Sequence, residues 1–323
     1  MTKLPLHNYF PGARPIAYGC MGLGGGWDQS PYQPEHVAQA HNIVDAALDA
    51  GINFFDHADI YTLGKAEQVF GQVLKDRQGL REQIILQSKC GIRLEDQFGP
   101  KRFDHSKQHI LNSVDDILQR LNTDFIDILL LHRPDPLMEP EEVADAFSRL
   151  KDSGKVKHFG LSNTNQQQMH FLQHYLDMPL VVNQIEMHLT HLNYLDDVVL
   201  VNNSSGKDLN FGSGTVEYCR MNNVQIQAWG SLCQGMLSGR QLSGQAELVK
   251  QTAVLVSKLA AEYQTSREAI LLAFLMRHPA GIQPVIGSTN IQRIADSVKA
   301  LNVNLTREHW YSLYVTARGQ ELP

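Results

Sequence analysis

Short apolar runs alternate along this chain with stretches whose apolar residues recur every three or four positions, and the alternation returns at intervals of roughly 30 to 40 residues. The runs are Ile16 to Tyr18, Asn53 to Asp56, Ile84 to Lys89, Phe125 to His132, Val156 to Leu161, Leu180 to Glu186, Val224 to Trp229 and Pro284 to Gly287. Each is short and rich in β-forming residues, so each predicts a buried strand. Helical spacing follows at Glu35 to Ala50, Lys65 to Lys75, Ser106 to Leu121, Pro140 to Ser153, Gln166 to Tyr175, Thr215 to Asn222, Glu247 to Tyr263 with Arg267 to Arg277, and Ile291 to Ala300. Pro140 suits a first helical turn and Gly154 a helix end, which marks that helix at both ends. Eight strand-helix units with near-continuous apolar strands predict a parallel (β/α)8 TIM barrel, a single domain over residues 1–323.

The connections Cys90 to His105 and His188 to Gly214 are too long for plain turns. In a barrel the loops after the strands build the active face, so these excursions are expected to shape a pocket. Glycines crowd the segment after the first run, but Trp27 to Pro34 intervenes before the first helix, which disfavours the doubly wound dinucleotide fold. Gly22 to Gly26 are read instead as a mobile loop whose backbone a ligand can approach, with Gly24 and Gly25 as cofactor contacts.

With 43% hydrophobic residues, 19% charged residues and a net charge of -6, the chain can build a sizeable core and has no basic surplus. Neither nucleic acid nor a membrane surface is an expected partner. Cys20, Cys90, Cys219 and Cys233 form no C-x-x-C pair, which argues against a zinc knuckle and a disulfide framework. No apolar leader opens at Met1 to Leu6 and no run of about 18 apolar residues occurs, which predicts a cytoplasmic protein.

Polar residues change the picture where they end the apolar runs. Asp56, Lys89, His132, Asn163, Gln184, Trp229 and Ser288 all fall at or just past the carboxyl ends of successive strands, the face where barrel enzymes keep their chemistry. Singly each has a plain alternative: Asp56 or Asn163 as a cap, Lys89 as a solvated strand end, His132 as a rim histidine, Trp229 as core. Tyr61, on the loop beyond Asp56, could be a half-buried aromatic or could overhang the strand end. Together Asp56, Tyr61, Lys89 and His132 suit acid catalysis. An ammonium beside a phenol is expected to lower its pKa, a carboxylate keeps the ammonium charged, and the histidine orients a carbonyl. The hydride would come from a cofactor. A metal-dependent hydrolase built on Asp56, His57 and Asp59 is the competing enzyme class, but the other strand ends offer Lys89, Asn163, Gln184 and Trp229, which are poor metal ligands. A cofactor-binding regulatory barrel with little turnover is the other alternative.

The segments Phe55 to Tyr61 with Glu67 and Gly71, Ser88-Lys89, Leu130 to Asp135, Gly160 to Asn163, Asn183 to Glu186 and Ile286 to Thr289 resemble those of aldo-keto reductases, from about Pro15 onward. Ser88 to Ile92 and His132 to Leu137 are most similar to a bacterial subgroup of predicted oxidoreductases. The resemblance implies NADP(H)-dependent reduction of a small carbonyl substrate, with Tyr61 as proton donor and Asp56, Lys89 and His132 completing the tetrad. It further implies that Ser162, Asn163 and Gln184 bind the nicotinamide carboxamide, that Trp229 stacks on the ring, and that Ser231 and Leu232 line the pyrophosphate path. Three positions depart from the pattern: His57 replaces a small Ser or Thr, Gly287 a phosphate-binding lysine, and Ser297 an adenine-binding asparagine. For the 2'-phosphate, Ser288, Thr289 and Arg293 stand at the start of a predicted helix, where free backbone amides and a guanidinium can meet an anion.

Overall fold

In the computed structural model, which describes residues 3–323, eight parallel strands close into a barrel. They are β1 (Ala17–Gly19), β2 (Phe54–Asp56), β3 (Ile85–Cys90), β4 (Ile126–Leu131), β5 (Val156–Ser162), β6 (Leu180–Glu186), β7 (Gln225–Trp229) and β8 (Gln283–Ile286). Closure is carried by Tyr18, which pairs with Phe55 on β2 and with Ile286 on β8. The fold is the expected (β/α)8 barrel. The expectation about the amino terminus begins at Met1 and Thr2, which lie outside the described residues.

Both faces of the strands are buried, which is why most of the runs read as near-continuously apolar rather than alternating. On β2, Phe54 points into an inner core with Ile85, Ile128, Leu130, Val182 and Val285, while Phe55 joins an outer core with Val69 and Phe70 of the next helix. Leu4 and Leu6, on either side of the start of the turn Pro5–Asn8, close the floor of the inner core. Burying a leucine stabilises by about 1.5–3 kcal/mol, so this plug ties the amino-terminal segment to the barrel.

The helices follow the strands as the periodicity predicts. Ser106 accepts from the His109 amide to cap Lys107–Leu121, and Pro140 opens Pro140–Asp152. A Cβ on Gly71 would lie 2.1 Å from the Arg120 carbonyl oxygen, so helices Lys65–Asp76 and Lys107–Leu121 touch at a distance only glycine allows. That contact brings Arg120 onto Glu67.

Four elements go beyond the periodicity. The first long excursion carries an antiparallel hairpin, Ile92–Arg93 with Arg102–Phe103. The second carries the helix Asn193–Val199 and the turn Ser204–Gly206, and a further helix, Arg307–Arg318, packs beside Glu247–Glu262 near the carboxyl end. Among the described residues no helix is long and apolar enough to cross a membrane.

Candidate active site

β2 ends in Asp56, and the chain then turns through a short 3-10 segment that starts at Tyr61. Thr62 (φ 47°) and Leu63 (φ 60°) are left-handed, a conformation costing roughly 1–3 kcal/mol each in a residue with a side chain. Thr62 Oγ1 donates to the Leu23 carbonyl at 2.9 Å and so locks this loop to the glycine-rich loop after β1. The strain thus sits beside Tyr61 and fixes where its phenol points.

Lys89, fully buried on β3, meets it there. Its ammonium stands 2.8 Å from both Asp56 carboxylate oxygens and donates to the His57 carbonyl at 2.8 Å and to Tyr61 Oη at 3.0 Å, so all three protons are placed. Burial works against this charge, but the facing Asp56 and Tyr61 hold Lys89 above the usual lysine value. For Tyr61 the balance differs from the expected one. Burial pushes the phenol above its usual value, and the Lys89 ammonium pulls it only part of the way back, with Asp56 opposing. The sequence shows the ammonium but not the desolvation that outweighs it.

His132, just past β4, stands edge-on to the Tyr61 ring with centroids 6.0 Å apart. Burial, with Lys89, Arg133 and Lys101 adding to it, pushes its pKa down to about 2, so the imidazole is neutral at working pH. Its Nδ1 is buried without a partner, which leaves Nε2 as the nitrogen turned toward the mouth. Behind Lys89, Glu67 accepts from Ser88 Oγ at 2.6 Å and from Arg120 Nε at 2.7 Å. Asp56, His57 and Asp59 do not converge as a metal site: Asp56 faces Lys89, and His57 is buried against Phe70 with ring centroids 4.6 Å apart. Among the described residues no three His, Cys, Asp or Glu side chains come together to hold a metal.

His57 has a consequence for stability. Both its ring nitrogens lack partners, and burial first, then Lys89, pushes its pKa down to about 3. Because this is below the unfolded value near 6.5, the unfolded chain binds the extra proton, and stability falls as pH drops from about 6.5 toward 3. The slope is about 1.4 kcal/mol per pH unit for one histidine. His57→Leu should therefore flatten the acid side of a stability-pH curve, measured by urea unfolding, by about that slope; an unchanged curve would mean His57 is not buried neutral.

The residues expected around a nicotinamide ring also meet. Asn163, left-handed at φ 56°, donates through Nδ2 to Ser162 Oγ at 2.8 Å and accepts through Oδ1 from Trp229 Nε1 at 3.0 Å. Ser162 Oγ donates to the Gln184 carbonyl at 2.9 Å. Trp229 is half-buried at the mouth with the Arg133 guanidinium 5.7 Å from its ring centroid, so it is not barrel core. This cluster of the Asn163 carboxamide, a hydroxyl and an indole has donors, acceptors and a flat surface that suit a carboxamide-bearing aromatic ring, while Gln184 joins it through its main-chain carbonyl and turns its side-chain amide to Gln227.

The outer part of the expected cofactor path is less open. Ser231 is buried and donates to the Val285 carbonyl at 2.8 Å, while Leu232 is half-buried. Gly24 (φ 82°) and Gly25 (φ 87°) are approached by the chain itself: a Cβ on Gly24 would lie 2.6 Å from the Lys65 carbonyl carbon, and one on Gly25 2.6 Å from His36 Cε1. Ser288 Oγ accepts from the Asn290 amide at 3.2 Å, and Thr289 lies over Gly22. The amides of Gln292 and Arg293, expected to face an anion, are taken by Asn290 Oδ1 at 2.9 and 3.4 Å, because asparagine is itself a strong N-cap. Arg293 Nε stands 3.7 Å from Glu268, an exposed guanidinium against a largely buried carboxylate. Arg240 stems from the same surroundings: a Cβ on Gly235 would sit 3.3 Å from Arg293 Nη1 and 4.0 Å from Arg240 Cβ.

The aldo/keto reductase family model matches residues 15–314. The chain is 37% identical over 290 residues to the uncharacterized oxidoreductase YcsN of Bacillus subtilis, covering 88% of this chain and 90% of that one. It is 35% identical over 311 residues to a 6-dehydroglucose reductase of Agrobacterium fabrum, covering 95% of each chain. An aldo/keto reductase from Klebsiella pneumoniae, solved in complex with NADP and acetate, superposes with a TM-score of 0.70 at 23% identity, over 93% of this chain and 90% of that one. With strand order, strand-end chemistry and sequence in agreement, the chain belongs to the aldo/keto reductase family and is an oxidoreductase.

Proposed function

We propose that this protein reduces a small aldehyde or ketone to the alcohol with NADPH, and that residues 1–323 act as one catalytic unit. The observation that carries the reading is the Lys89 ammonium, held between Asp56 and Tyr61 with neutral His132 alongside. When bound, the reduced nicotinamide supplies a hydride. Ser162, Asn163 and Gln184 would hold its carboxamide and Trp229 its ring. Tyr61 Oη gives its proton to the carbonyl oxygen while Lys89 stabilises the phenolate left behind. Neutral His132 orients that oxygen through Nε2 without competing for the proton. The family relationship to 6-dehydroglucose reductases and the NADP-bound Klebsiella protein support a polyhydroxylated aldehyde and this cofactor. We place the protein in the cytoplasm, a reading supported by four free, buried cysteines.

The test is a panel of carbonyls, headed by 6-dehydroglucose and including aromatic aldehydes, followed by loss of NADPH absorbance. Turnover of at least one member is expected. NADPH binding without turnover across the panel would favour a regulatory barrel instead.

For the 2'-phosphate we propose Arg293, aided by Arg240, with Ser288 and Thr289 at the edge. A guanidinium-phosphate pair is worth about 1.5–3 kcal/mol, so Arg293→Ala should weaken NADPH binding by roughly ten- to a hundredfold and leave NADH binding nearly unchanged. Titration of indole fluorescence with each cofactor reads this, and equal losses for both would move the phosphate site elsewhere.

A further inference from the structure

A line of glutamines runs through the barrel interior toward the proposed proton-transfer site. Gln283 Nε2 donates to the Arg14 carbonyl at 2.7 Å, and Gln227 Nε2 donates to Gln283 Oε1 at 2.9 Å. Gln227 Oε1 accepts from Gln87 Nε2 at 2.9 Å and from Gln184 Nε2 at 3.0 Å. Gln87 Nε2 also donates to Asp56 Oδ1 at 2.6 Å. All four glutamines and Asp56 are buried.

Both ends of this line, a peptide carbonyl and a carboxylate, can only accept. The direction of donation must therefore reverse within it, and the reversal falls on Gln87, whose two N–H groups serve Gln227 and Asp56. Its Oε1 is left buried without a partner. Rotating the amide would set that oxygen against two acceptors at once, so the line holds Gln87 with its donor on Asp56.

We propose that Gln87 is a positioning residue for proton transfer: its donor on Asp56 Oδ1, an oxygen that also stands 2.8 Å from the Lys89 ammonium, draws charge from the carboxylate, so that the ammonium stays shared with Tyr61. Without it the carboxylate captures the ammonium, and the phenol becomes a weaker acid. This rests on the reading of Tyr61 as proton donor. The charged or titratable groups around the point are Lys89, Tyr61, His57, His132 and Cys20, with Glu67, Asp59 and Arg120 behind Lys89. Burial keeps His57 and His132 neutral and the Cys20 thiol protonated. Burial and Glu67 push Asp59 up to about 8, and because Gln87 bonds Asp56 rather than Asp59, its titration is expected to be common to wild type and variant, so the comparison is of differences.

The experiment compares wild type, Gln87→Met and Gln87→Glu by kcat against pH in both directions, with melting temperature and NADPH binding as controls. Gln87→Met is expected to fold and bind NADPH within about twofold of wild type, to lose about tenfold in kcat, and to move the rising limb of alcohol oxidation up by about one pH unit. In Gln87→Glu a protonated carboxyl can still donate to Asp56, so activity should approach wild type at low pH and fall as Glu ionises, a limb wild type lacks. An unshifted limb in a folded Gln87→Met, whatever its kcat, or no new limb in Gln87→Glu, overturns the proposal. Should Gln87→Met fail to fold, the Gln87→Glu profile decides alone. Tyr61→Phe is run alongside: if it stays active the proton-donor reading fails, whereas an inactive Tyr61→Phe with an unshifted Gln87→Met limb sinks this proposal only.

Discussion

A Tyr61→Phe protein should fold and bind NADPH as wild type does, yet reduce carbonyls about a thousandfold more slowly. The phenyl ring keeps its edge-on contact with His132, and only the hydroxyl 3.0 Å from Lys89 is lost. Burial holds the phenol above its usual value near 10, so it is protonated throughout the neutral range. Reduction by wild type should therefore show no falling limb from Tyr61 below about pH 10, whereas alcohol oxidation, which needs the phenolate, should rise with pH. Stopped-flow or steady-state rates read both directions. Retention of more than about a tenth of the wild-type rate would remove Tyr61 from the chemistry.

Lys89→Met is expected to damage both stability and turnover. The substitution strands a buried carboxylate, Asp56, with Gln87 as its remaining side-chain donor, and breaking such a pair costs about 3–5 kcal/mol. Turnover should fall nearly as far as in Tyr61→Phe, because the phenolate loses its stabilising charge, and combining the two changes should add little. Adding Asp56→Asn to Lys89→Met separates the effects: the neutral amide should recover much of the melting temperature and none of the rate. Recovery of rate as well, or fully additive losses in the Tyr61/Lys89 double variant, would show that these residues do not work as a unit.

Some of this was written locally in the chain. Largely apolar runs ending in Asp56, Lys89 and His132 place those residues at strand tips, because most positions of a strand buried on both faces are apolar, the interior glutamines being the exceptions. The helix Arg307–Arg318 also carries local signals, Thr306 at its start and Gly319 at its end. The hairpin Ile92–Arg93 with Arg102–Phe103 had none, since strands of two residues have no period to read.

By itself the sequence determined the barrel, the order of its units and which residues stand at the strand ends, since all three follow from periods of a few residues. Tertiary structure alone decided their partners and their acidity. Gln87 and Gln227 are 140 positions apart yet 2.9 Å from each other, so no local pattern announces the line that orients Asp56. Nor could the sequence weigh the Lys89 ammonium against the burial of Tyr61, because desolvation depends on everything packed around a group and only the closed barrel supplies that.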